Sequence, residues 1–223
     1  MRAITLPTIL TLLMAATDVQ AAVTNTEIGA GLREALTVGT VKVVNRLGQS
    51  GGFTNDPLVH IPLPKGLKKV KSALDAVGMG GALDDLEIKM NRAAEVATPK
   101  AKQLFVDAIK QMSLDDVKAI YNGPQDAATR YFQSKMSAPL AEQMTPVVND
   151  SLAQVGAVKS YDKAMANYRK LPLVPDVKAD LTQHVVKKGI DGVFHYLALE
   201  EAAIRQDPLK RTTSLLQQVF GAK

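Results

Sequence analysis

Between Leu83 and Met112 the apolar residues recur at the period of an α-helix, and this stretch constrains the fold more than any other. With Leu83 as origin and about 100° per residue, Leu86, Met90, Ala93, Ala94, Ala97, Ala101, Leu104, Phe105, Ala108 and Met112 fall within an arc of about 120°. The stripe keeps its phase across Thr98-Pro99. Proline removes a backbone donor and crowds the preceding turn, so the pair reads as a kink in one long helix rather than a gap between two.

The rest of the chain supplies helices for that stripe to pack on. Ile28, Leu32, Leu36, Val43 and Leu47 predict a first helix ended by Gly48, although its β-branched portion from Val38 to Val44 competes as a strand. Residues 49–64 read as a loop, because Gly51-Gly52, Asp56-Pro57 and Ile61-Pro62-Leu63-Pro64 deny it both helix and central strand. A short helix follows from about Gly66 to Val77, closed by Gly78, and Gly80-Gly81 turns the chain. Ser113 caps a short helix that Asn122-Gly123-Pro124 closes. Asp126 is expected to cap the next helix, through Ala128, Tyr131 and Phe132. Ser137-Ala138-Pro139 then starts a separate one that runs to about Gly156 with a bend at Pro146. Tyr161 to Tyr168 continues helically and Pro172-Leu173-Val174-Pro175 is a rigid connector. Asp180 caps a long helix to about Arg205, and Asp207-Pro208 caps a last one carrying Leu215, Leu216, Val219 and Phe220. The expected class is all-α, an irregular multi-helix single domain of about seven to nine helices.

The N-terminus reads as an address label. Arg2 gives a positive n-region, Ile4 to Ala16 an apolar stretch, and Val19-Gln20-Ala21 small residues at the recognition positions, so cleavage is expected after Ala21 or Ala22. Residues 1–22 are then a signal peptide and 23–223 the helical domain. The apolar stretch is short of the roughly 20 residues that cross a bilayer, and no later one comes closer, so no transmembrane span is expected. With no cysteine, the chain has neither a thiol to acylate nor a disulfide. The expected location is exported, in the periplasm.

Loss of Arg2 and Asp18 with the leader leaves the net charge at +5. That surplus permits weak attraction to anionic surfaces. With 5 Tyr, 5 Phe and no Trp, platforms for stacking single-stranded bases are scarce, so nucleic acid is not an expected partner. A hydrophobic share of 46% suits a packed core rather than disorder.

Chemistry-bearing motifs are few. The absence of cysteine excludes thiol catalysis and thiolate metal sites, and the chain carries no His-Glu-x-x-His, Gly-x-Ser-x-Gly, phosphate loop or dinucleotide fingerprint. No cofactor is implied. His184, Asp191 and His195 share one helix face, but it lies about 160° from the stripe of Val186, Ile190, Val193, Leu197 and Ile204, so it reads as solvated rather than as a metal site.

Glu201 differs, because it falls inside that apolar arc, with Glu200 on its edge. A carboxylate facing a core must be paired or protonated. Arg205 is one helical turn away, while Arg92 and Arg211 reach it only through tertiary packing. Asn91 and Glu95 sit beside the stripe of their own helix, one turn apart. The set Asn91, Arg92, Glu95, Glu200, Glu201, Arg205 and Arg211 reads either as hydrogen-bonded glue between helices or as a polar pocket for a small ligand or acid-base chemistry. Lys65, Lys68, Lys69 and Lys71 crowd a short amphipathic helix, a solvated face or a patch for an anionic lipid surface.

Several segments together carry a family resemblance: Gly31-Leu32-Arg33-Glu34-Ala35-Leu36 with Gly39, Ile61-Pro62-Leu63-Pro64, Met90-Asn91-Arg92-Ala93-Ala94-Glu95, Ala127-Ala128-Thr129-Arg130-Tyr131-Phe132, and Glu200-Glu201 with Ile204-Arg205, Pro208 and Arg211-Thr212-Thr213. In these the chain resembles the bacterial domain-of-unknown-function family DUF4197 over nearly the whole mature sequence. The resemblance implies a bacterial envelope protein and brings no activity or catalytic residues. The expected function is a non-catalytic binding or interaction module, its partner an envelope protein; the alternatives are a peripheral binder of anionic lipid and an enzyme with a carboxylate-centred pocket.

Overall fold

The computed structural model describes residues 24–175, 179–207, 213, 214 and 217. Among them are seven helices and no strand: α1 (Asn25–Leu47), α2 (Lys65–Asp75), α3 (Gly81–Lys110), α4 (Leu114–Tyr121), α5 (Ala127–Gln154), α6 (Ala157–Tyr168) and α7 (Leu181–Gln206). The expected leader, Arg211, and Leu215, Leu216, Val219 and Phe220 of the expected last helix lie outside the described residues.

The long stripe organises the domain. α3 runs unbroken through Pro99 and packs against α1, α5, α6 and α7, with Leu83, Leu86, Met90, Ala93 and Phe105 buried along it. The alanines let neighbouring helices approach closely. The end of α1 comes so near Pro99 that a Cβ on Gly48 would stand 2.6 Å from its Cγ. α1 is helical through its β-branched run, opened by a capping box between Thr24 and Glu27 and held by the burial of Leu32, Leu36, Val43, Val44 and Leu47.

The structure corrects one expectation about chain breaks. Ser137-Ala138-Pro139 does not start a helix; α5 passes through both Pro139 and Pro146. An interior proline costs about 3 kcal/mol, whereas each large apolar side chain buried returns about 1.5 to 3 kcal/mol. Leu140, Met144, Val148 and Leu152 lie on the one face that α5 turns toward α3 and α7, so packing outweighs the breakers. Hydroxyls beside each proline also bond back to the preceding turn, Ser137 to the Gln133 carbonyl and Thr145 to that of Ala141. The real break comes at Gly156, whose φ of +76° is left-handed backbone that favours glycine.

Candidate functional site

Three residues spaced four apart on α3 strap the loop of residues 49–64 to the domain. Glu95 is 1% exposed, and its Oε1 accepts the N–H groups of Gly51 (3.1 Å), Phe53 (3.2 Å) and Thr54 (3.0 Å) and the Thr54 hydroxyl (2.9 Å). Oε2 accepts from Arg92 at 2.9 Å. Asn91, fully buried, accepts the Ile61 N–H through Oδ1 and donates Nδ2 to the Ile61 carbonyl, both at 2.8 Å, as a neighbouring strand would. Glu87 accepts from the Leu63 N–H (3.1 Å) and faces His60 Nε2 at 2.8 Å. The loop's proline-rich backbone finds no ladder of its own, and these side chains supply the missing partners. Burial alone would push the Glu95 carboxyl up. The Thr54 N–H, Arg92, the Thr54 hydroxyl and the Phe53 N–H outweigh it and hold the group below the ordinary range.

Glu201 on α7 does a comparable task for the start of α5. Its Oε1 accepts the Ala128 N–H (3.0 Å) and its Oε2 the Thr129 N–H and hydroxyl (both 2.9 Å), which are free donors at the first turn of α5. Asp126, expected to cap this helix, makes no capping bond and pairs instead with Arg130. Arg205 pairs with Glu201 at 2.9 Å and donates to the Ile120 carbonyl in the last turn of α4 at 3.0 Å. This pair is inside the protein, with the two side chains 10% and 5% exposed, rather than on its surface. The remaining space beside Glu201 is only about 10 Å³, too little for a ligand.

The expected pocket residues therefore divide. Asn91, Arg92 and Glu95 hold the loop, Glu201 and Arg205 join α4, α5 and α7, and the two sets share no hydrogen-bond partner in the described residues. Glu200 is half-buried and pairs with Lys42 on α1. Of the lysines, Lys71 is claimed by Asp75 and Asp84, while Lys65, Lys68 and Lys69 are exposed with no carboxylate partner among the described residues. The apolar face of α2, Leu67, Val70 and Leu74, lies in the core. Of the histidine face, Asp191 and His195 are exposed, but His184 is half-buried and bonds the Pro62 carbonyl at 2.8 Å, so that part is not simply solvated.

On its outer side the strapped loop forms an open depression of about 490 Å³ with the end of α1 and the middle of α7, lined by Arg46, Gln49, Ser50, Asn55, Asp56 and Tyr196 among others. The Arg46 guanidinium lies 4.0 Å over the Tyr196 ring. One Nη2 reaches the Tyr196 hydroxyl (3.0 Å) and Asp56 (3.1 Å), and the Tyr196 hydroxyl donates to Asp56 as well. Burial would raise the Asp56 carboxyl, but bonds from Tyr196, the Leu58 N–H and Arg46 bring it below the ordinary range.

A family model described as protein of unknown function (DUF4197) matches residues 22–221. The chain belongs to that family. Neither a curated protein nor a solved structure matches it.

In this DUF4197 chain the corner at Arg46 and Tyr196 was not visible in sequence, because its parts are 150 residues apart on different helices. A second cluster was also missed. Lys89 Nζ lies 2.7 Å from Asp85 and 2.9 Å from the Ser160 hydroxyl, which itself bonds Asp85. A serine activated by lysine needs a neutral amine, and an ammonium in an ion pair with Asp85 has no lone pair to accept the proton. Lys89 and Ser160 hold the Asp85 carboxyl below the ordinary range, and the cluster acts as a clamp between α3 and α6.

Proposed function

We propose that this protein is a non-catalytic binding or interaction module of the bacterial envelope, exported by a cleaved leader, with the open corner of Arg46, Gln49, Ser50 and Asn55 as its binding face. The observation that carries the non-catalytic reading is the engagement of the two buried carboxylates. Glu95 and Glu201 each spend their oxygens on backbone N–H groups, a threonine hydroxyl and an arginine, which leaves neither free to exchange a proton with a substrate. Support for export comes from Arg2, the apolar stretch and Val19-Gln20-Ala21. The test is N-terminal sequencing of protein recovered from the periplasmic fraction. A mature N-terminus near Ala22 or Val23 is expected, and intact Met1 on soluble cytoplasmic protein overturns the envelope reading.

A second reading, peripheral attachment to anionic lipid, rests on Lys65, Lys68 and Lys69. With the apolar face of α2 committed to the core, that attachment is electrostatic only, on the order of 1 kcal/mol per lysine.

A further inference from the structure

The corner at Arg46 has the chemistry of a site for a neutral, polyhydroxylated ligand, and we propose that it binds a saccharide. The inference rests on the reading of this corner as the binding face and names what it takes. Behind the loop, the N–H groups of Gly51, Phe53 and Thr54 are all consumed by Glu95, so the loop is held rigidly and meets a ligand with its side chains. At Gly51, φ is +88°, and a Cβ there would stand 2.6 Å from Asn55 Nδ2. The Asn55 amide thus folds back across the glycine and over the depression. Gln49, Ser50 and Asn55 line the space, and among the described residues none of their side chains has a protein hydrogen-bond partner.

Charge decides the ligand class. The Arg46 cation is already balanced at 3.1 Å by Asp56, so an incoming anion gains no unpaired cation and meets a carboxylate instead. Two planar amides and a hydroxyl both donate and accept, which matches the vicinal hydroxyls of a sugar ring, each of which also does both. Leu58 is 65% exposed at the rim beside Pro57 and offers an apolar surface for the C–H face of such a ring. The volume lies within the roughly 300 to 1,000 Å³ of small-ligand sites.

The test is amide-shift mapping of the whole folded protein against neutral tetraoses of glucose, galactose, mannose and N-acetylglucosamine, with acetate, phosphate and a neutral tetrapeptide as the other arms. Saturable shifts from at least one tetraose, confined to residues 46–58 and the neighbouring turn of α7, are expected. Asn55→Ala and Gln49→Ala should each weaken that binding about tenfold, the loss of one well-made hydrogen bond, without lowering the melting temperature. Saturation of the same amides by acetate, phosphate or the tetrapeptide, with no tetraose doing so, overturns the saccharide and leaves the corner as a binding face. Shifts that map elsewhere, or none from any arm, overturn both.

Discussion

The Glu201 carboxylate meets Thr129 twice, 2.9 Å from its N–H and 2.9 Å from its hydroxyl, so a side chain near the end of α7 closes the open start of α5. Arg205 balances the charge and reaches on to the end of α4. A helix N-terminus is the place where a buried carboxylate is best tolerated, since its free N–H groups and dipole both favour negative charge.

Glu201→Gln should lower stability in a urea melt by about 1 to 3 kcal/mol, because Arg205 loses its counter-charge while still 10% exposed. Asp126→Ala should change it by less than about 0.5 kcal/mol, since Asp126 makes no capping bond and its pair with Arg130 is on the surface. The reverse order would mean that α5 is capped from its own sequence.

Glu95 makes the protein acid-sensitive in a defined direction. Its folded pKa lies below the unfolded one, so its contribution is fully present above the unfolded value and is lost as pH falls through the folded value. Asp56, Asp85 and Asp116 are shifted the same way and add to the slope. Melting curves taken from neutral to acid pH should show Glu95→Gln less stable than wild type at neutral pH, with the difference narrowing in acid. A difference that is constant with pH contradicts the charge-based account.

Two glycines of α7 should respond oppositely to alanine. A Cβ on Gly189 meets nothing within 4 Å, so Gly189→Ala should stabilise by about 0.5 to 1 kcal/mol through helix propensity. At Gly192 it would stand 3.0 Å from Phe53 Cε1 and 3.2 Å from Val59 Cβ, where the strapped loop packs on α7, and Gly192→Ala should destabilise. Thermal melts of the two variants check the pair.

For the lysines of α2, Lys68→Glu combined with Lys69→Glu should leave the melting temperature unchanged, both side chains being exposed, and should lower co-sedimentation with anionic vesicles. If wild-type protein shows no salt-sensitive sedimentation, the lipid reading is dropped.

Periodicity carried the fold a long way. The stripe of α3 kept its phase through Pro99, and the short-range signals at Ser113, Gly48 and Asp180 marked helix ends because a cap acts within a few residues. Pro139 misled for the opposite reason: the local cost of proline is visible in sequence, while the burial that offsets it depends on which helices face α5. The candidate site was legible only in part. Helical phase put Glu201 inside and Asn91 and Glu95 beside the buried stripe, and spacing offered Arg205 to Glu201, but the backbone donors they hold left no local signal, since those of Glu201 lie 72 and 73 residues away and those of Glu95 41 to 44. The Arg46 corner left no local signal, because its polar groups are ordinary loop residues until Glu95 fixes the loop and α7 brings Tyr196 beside it.

That the buried carboxylates serve to satisfy backbone donors is open to direct measurement. Native-state hydrogen exchange of Glu95→Gln beside wild type tests it most directly. In wild type the amides of Gly51, Phe53 and Thr54 should be protected, and in the variant these three should exchange faster by about tenfold or more relative to amides in the middle of α3. Unchanged protection at all three would contradict the account and return Glu95 to the list of groups available for chemistry.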